Sequence, residues 1–71
     1  MKLTVNGKER NCDAGNLAEL WRAETADLDI ADEPRGFAIS LNGAVVRRAA
    51  WSTTAVREGD TVEIIRATAG G

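Results

Sequence analysis

Apolar and polar positions alternate at the start of the chain. Leu3 and Val5 fall on one face, Lys2 and Thr4 on the other. A period of two marks a half-buried strand, here Lys2 to Asn6. Asn6-Gly7 follows, and this pair predicts a tight hairpin, because a primed two-residue turn needs positive φ at both central positions. The returning strand is expected over Glu9 to Cys12, with Arg10 and Cys12 sharing a face. A lone cysteine in this setting reads as a small buried apolar group, and no neighbouring feature marks it as a reactive thiol.

The period then changes. Leu17, Leu20 and Trp21 stand at i, i+3 and i+4, the spacing of one helical face. Asn16 precedes them as an N-cap, and Glu19 lies three positions on, a capping-box arrangement with Asn in the cap role. The helix is expected to fade near Ala26. The segment from Asp27 to Arg35 is acidic and is broken by Pro34. It reads as a solvated loop pinned under the sheet by Leu28 and Ile30. Its acids Asp27, Asp29, Asp32 and Glu33 match no calcium-loop spacing.

Alternation returns with Phe37, Ile39 and Leu41 set against Ala38 and Ser40. A second Asn-Gly pair, Asn42-Gly43, leads into a short strand at Ala44 to Arg47. After Trp51 comes a polar stretch, Ser52-Thr53-Thr54, and Glu58-Gly59-Asp60 is a turn. The last strand runs from Thr61 to Arg66, with Val62 and Ile64 facing one way and Thr61, Glu63 and Ile65 the other. Trp21 and Trp51 are expected in the core, and Arg47-Arg48 on a solvated turn. The closing residues Ala67-Thr68-Ala69-Gly70-Gly71 offer little to bury and are expected to be mobile. Two hairpins thus flank one helix. A sheet with one apolar face needs a cover, and the helix is the available one. Nothing forbids the first and last strands from pairing in the middle of the sheet.

Composition narrows the chemistry. The chain has 71 residues, the size of one small domain near the limit for a core without metal or disulfides. Its apolar fraction of 44% is that of a globular protein. The net charge is -2 and the pI about 5.0, without the basic patch of a nucleic-acid binder. There is no histidine and a single cysteine, which removes the commonest general base and any cysteine-built metal or iron–sulfur site. The only Gly-Gly pair closes the sequence and is not a phosphate-binding loop. No basic, continuously apolar leader opens the chain, and no apolar run reaches membrane-spanning length. A soluble, cytoplasmic monomer without its own active site is the expectation.

The order of motifs resembles the ThiS family of sulfur carriers in thiamin (thiazole) biosynthesis. The resemblance is carried by Val5-Asn6-Gly7, Leu17-Ala18-Glu19-Leu20, Ala38-Ile39-Ser40-Leu41-Asn42-Gly43, Val45-Val46-Arg47-Arg48, Trp51, Glu58-Gly59-Asp60-Thr61-Val62-Glu63-Ile64 and the final Gly70-Gly71. It implies an α+β fold of the β-grasp (ubiquitin-like) type, a mixed sheet of four to five strands packed on one helix. The domain would span residues 1–66, followed by a flexible diglycine tail at 67–71. The resemblance also implies partners: a ThiF-type adenylating enzyme using ATP and magnesium, a sulfur donor system, and a ThiG-type thiazole synthase. The chain itself would be a protein substrate rather than an enzyme.

The tail suits that chemistry on its own terms. A glycine carboxylate is a poor acyl electrophile, but it can attack the α-phosphate of ATP. The resulting acyl-adenylate carries a good leaving group, which a sulfur nucleophile can displace to leave a thiocarboxylate. Gly71 would be the reacting residue, with Gly70 and Ala69 threading a narrow channel, since glycine has no Cβ. Five extended residues reach roughly 17 Å. The expected docking face comprises Thr61, Glu63, Ile65, Ala38 and Ser40. Two alternatives keep the terminal glycine. One is a MoaD-like carrier for molybdopterin or another thiolation pathway, against which the absence of a proline before the diglycine counts. The other is a ubiquitin-like modifier joined to lysine through Gly71. A plain interaction module would need no terminal chemistry.

Overall fold

The computed structural model describes residues 1–26 and 36–66. Five strands and two short helices follow one another: β1 (Lys2–Val5), β2 (Lys8–Asn11), α1 (Leu17–Glu24), β3 (Phe37–Leu41), β4 (Ala44–Val46), a 3-10 helix (Arg48–Thr53) and β5 (Thr61–Arg66). The strands form one sheet in the order β2-β1-β5-β3-β4. Only β1 and β5 run parallel; the other neighbours are antiparallel. This mixed sheet covered by α1 is the β-grasp arrangement.

Both hairpins close as their Asn-Gly pairs require. Val5 lies opposite Lys8, and Leu41 opposite Ala44, leaving two residues in each turn. Asn6 and Asn42 adopt φ of 51° and 52°, and Gly7 and Gly43 φ of 80° and 90°. Positive φ at both central positions matches the turn to the twist of its strands.

Asn16 starts α1 in extended geometry, and its Oδ1 accepts a 2.9 Å bond from the Glu19 backbone N–H. Glu19 does not reach back to the cap's own N–H. Its Oε1 instead accepts from Gly15 N at 3.0 Å, one residue earlier. The helix ends at Glu24, slightly before the expected Ala26. Thr25 stops it: both its N–H and its Oγ1 donate to the Trp21 carbonyl, at 3.0 and 2.6 Å. Leu17 and Leu20 are fully buried, Trp21 nearly so. Burial of each leucine contributes about 1.5–3 kcal/mol against solvent exposure.

Under the helix, Leu3, Val5, Ile39 and Val62 fill the inner face of the sheet. Trp21 packs edge-on against Phe37, with ring centroids 5.5 Å apart, and beside Trp51 at 6.1 Å. Both tryptophans are core, as their positions suggest. The 3-10 helix is absent from the sequence reading, which assigned that stretch no element. Its hydroxyls close the turn on itself: Thr53 and Thr54 Oγ1 both donate to the Ala50 carbonyl. Trp51 faces inward, with its Nε1 donating to the Val46 carbonyl at 2.9 Å. The following residues bond to the helix start through Leu17 N to Thr54 O and Val56 N to Gly15 O.

Three local readings need correction. Strand β2 stops at Asn11, and Cys12 is half-buried rather than enclosed; its Sγ accepts from Ala14 N at 3.3 Å. The whole of β2 is exposed. Arg10 does share the helix side of the sheet, opposite Leu3, where it pairs with Glu24 at 3.6 Å. Strand β4 ends at Val46, one residue before Arg47, because the chain turns there into the 3-10 helix. Leu28 and Ile30, expected to pin the acidic loop, lie outside the described residues, as does the tail.

Two outcomes follow for stability. Asn16→Ala should cost about 1 kcal/mol, the usual cost of losing an N-cap acceptor. The two tryptophans should differ. Trp51→Phe deletes the Nε1 bond to the Val46 carbonyl, whereas Trp21 Nε1 is buried with no hydrogen-bond partner among the described residues and has no such bond to lose. Urea unfolding should therefore find Trp51→Phe more destabilising than Trp21→Phe by about 1 kcal/mol or more. Equal losses would contradict this reading of the core.

Candidate functional site

Strand β5 occupies the middle of the sheet, bonded to β1 on one side and β3 on the other. Its alternation sends Val62 and Ile64 toward α1 and leaves Thr61, Glu63 and Ile65 exposed on the opposite face. Register then decides which neighbours join them. Ala38 pairs with Ile65, Ser40 with Glu63, and Thr4 with Thr61. Directly paired residues share a face. All five residues expected on the docking face are therefore brought together on one side of the sheet.

The chemistry of that face is graded. Toward β2 it carries Lys2 and Glu9, and toward β4 it becomes apolar. Ile65 is 57% exposed, and Val45 is 76% exposed. Val45 pairs with Ser40, so it lies on the same face, diagonal to Ile65 across β3. The sequence reading left Val45 out of the set. The signal was present: a two-residue turn at Asn42-Gly43 puts 41 opposite 44 and 40 opposite 45, which sends Val45 outward with Ser40. Between the two apolar side chains, Ser40 Oγ donates to Glu63 Oε1 at 3.4 Å. A flat face offering branched aliphatics beside one hydroxyl and one carboxylate suits contact with another protein surface.

An open cleft of about 390 Å³ lies between the end of β2 and α1, lined by Asn11, Cys12, Asp13, Ala14, Glu19, Ala23 and Glu24. Its thiol is engaged with a backbone N–H, and Glu19 is committed to the helix cap. Among the described residues no cluster of three or more His, Cys, Asp or Glu is placed to hold a metal ion. Among them, too, no helix is long and apolar enough to cross a membrane. Strand β5 runs to Arg66, still paired with Phe37. Ala69, Gly70 and Gly71 follow within residues 67–71, outside the described residues.

Known proteins resemble the chain along its length. The model of the ThiS family matches residues 3–71. A crystal structure of the thiamine biosynthesis protein ThiS from Geobacter metallireducens superposes with a TM-score of 0.76 at 36% identity, covering 100% of both chains. An NMR structure of a thiamine biosynthesis protein from the same organism gives a TM-score of 0.69 at 36% identity, covering all of this chain and 88% of that one. The chain is also 32% identical over all 71 residues to a thiazole synthase of Paramagnetospirillum magneticum, of which it spans only 20%. With the β-grasp topology and the matched motifs, these likenesses establish that the chain belongs to the ThiS family.

Proposed function

We propose that this protein is the sulfur carrier of thiamin (thiazole) biosynthesis and that Gly71 is its working residue. The observation that carries this reading is the extent of the family match, which runs through the diglycine to residue 71. A folded body with an exposed flat face, followed by a tail ending in glycine, is what a carrier needs. The body docks and the terminus reacts elsewhere.

The reaction would proceed on a partner. A Gly71 carboxylate oxygen attacks the α-phosphorus of ATP, and pyrophosphate leaves. The glycine carbonyl is then joined to AMP through a mixed anhydride. Hydrosulfide supplied by the donor system adds to that carbonyl, AMP departs with the electron pair of the broken C–O bond, and the new S–H loses its proton. The product is a thiocarboxylate, softer and more nucleophilic than the carboxylate it replaces. ATP and its magnesium belong to a ThiF-type adenylating enzyme; this chain supplies the acceptor and the docking face. The sulfur then passes to a ThiG-type thiazole synthase. The stretch of similar sequence within a thiazole synthase of P. magneticum supports that pairing.

Docking is assigned to Thr61, Glu63, Ile65, Ala38 and Ser40, with Val45 added by register. Gly70 and Ala69 thread the partner's channel, where a larger side chain would obstruct entry.

Incubation with the adenylating enzyme, ATP and a sulfur source should raise the intact mass by the difference between one sulfur and one oxygen, located at Gly71. Deleting Gly71 should abolish the change; an unaltered mass in the full chain with a verified partner would defeat the proposal. On the docking face, Ile65→Asp or Val45→Asp should raise the KM of adenylation about tenfold while leaving the fold intact, since a charge replaces an apolar contact in the interface. Unchanged KM in both variants would remove this face from the interface.

A further inference from the structure

We infer that Asn6 is a positioning residue for terminal-glycine chemistry, acting by clamping the strand that delivers the tail; this rests on the carrier reading above. Strand β1 accompanies β5 only over Thr4↔Thr61 and Val5↔Val62. The backbone ladder has its last rung where Asn6 N–H donates to the Val62 carbonyl at 2.9 Å. The chain then turns away at Asn6-Gly7. Left so, β5 would lose its β1-side partner at Val62, four residues before it ends at Arg66.

The Asn6 side chain replaces that partner. Its Oδ1 accepts from the Ile64 N–H at 2.7 Å, and its Nδ2 donates to the Ile64 carbonyl at 3.2 Å. A primary amide offers one acceptor and two donors. It therefore stands in for one further peptide group and extends the sheet past the end of β1. On the other edge of β5, β3 holds Ile65 through Ala38 and Arg66 through Phe37. The clamp on Ile64 and the β3 pairing of Ile65 and Arg66 together hold the last three residues of β5, directly before residues 67–71. Direction at this point matters, because a partner must take up the tail from this strand end, and an error here shifts where the terminus enters. Misplacement of a reacting group by about 1 Å can cost as much as 10²-fold in rate.

Asn42 provides the internal comparison. It sits at nearly the same positive φ in the other Asn-Gly turn and also bonds β5, with its Oδ1 accepting from Thr61 N–H at 2.9 Å. That contact is at the entry of the strand, at Thr61, the opposite end from Arg66. If Asn side chains serve only to stabilise their turns, the two sites should behave alike. If position matters, only Asn6 should affect turnover.

The test is the kinetics of pyrophosphate exchange by the adenylating enzyme with the full chain as substrate. Glycine tolerates positive φ, so Asn6→Gly and Asn42→Gly remove the side chains without straining either turn. Asn6→Gly is expected to lower kcat about tenfold or more with KM within about twofold, and Asn42→Gly to hold both constants within about twofold. Amide hydrogen exchange at Ile64 should quicken in Asn6→Gly and not in Asn42→Gly. Asn6→Asp keeps the acceptor and deletes the donor. It should lose less kcat than Asn6→Gly, and it carries the test if the glycine variant does not fold. Unchanged kcat in the Asn6 variants, or an equal fall in the Asn42 variant, overturns the inference while leaving the carrier reading intact. Failure of the unaltered chain to exchange pyrophosphate overturns both.

Discussion

The parallel pairing of β1 with β5 is the contact on which the rest of this fold depends. It joins the two ends of the described chain in the centre of the sheet and turns two separate hairpins into one surface. Without it, the β1–β2 and β3–β4 hairpins would each present a narrow apolar face that α1 could not cover. With it, Leu3, Val5, Val62 and Ile39 form one floor beneath Leu17, Leu20 and Trp21. It also puts the strand leading to the tail in the middle of the sheet, with a neighbour on each edge. That strand leads directly into residues 67–71, the segment on which the proposed carrier chemistry rests.

Two faces of the sheet then divide the work. The inner face is closed by α1 and by the 3-10 helix, whose Trp51 is fixed by its bond to the Val46 carbonyl. The outer face stays open and grades from charged at β2 to aliphatic near β4. Single exposed apolar residues are ordinary on protein surfaces. Ile65 and Val45 differ from that background because register places them on one face, beside the strand that carries the tail. In the proposed function, docking and delivery share this single element, and binding energy gathered on the face would be available to position the terminus.

Much of this was legible in the sequence because it is encoded locally. The alternation around Leu3 and Val5, the spacing of Leu17, Leu20 and Trp21, and the Asn-Gly pairs each specify an element within a few residues. The 3-10 helix was not legible. Its hydroxyl-to-carbonyl closures at Thr53 and Thr54 leave no periodic apolar signature, and only Trp51 marks its inward side. The expected enclosure of Cys12 fell short: it packs against the core but stays half-buried at the end of an exposed edge strand. Membership of Val45 in the outer face followed from turn length and register together, a second step beyond alternation. The bond between Asn6 and Ile64 spans 58 positions and has no local trace. Asn-Gly explains why Asn6 tolerates its turn, and says nothing of what its amide holds.

The most direct measurement of the central claim follows the sulfur atom itself. The carrier, loaded enzymatically with isotopically labelled sulfur and separated from the donor system, is mixed with thiazole synthase and the remaining precursors. The account predicts that label leaves the protein and enters the thiazole product, with the carrier returned to its original carboxylate mass. Label that stays on the protein, or product formed equally well from a chain lacking Gly71, would contradict it.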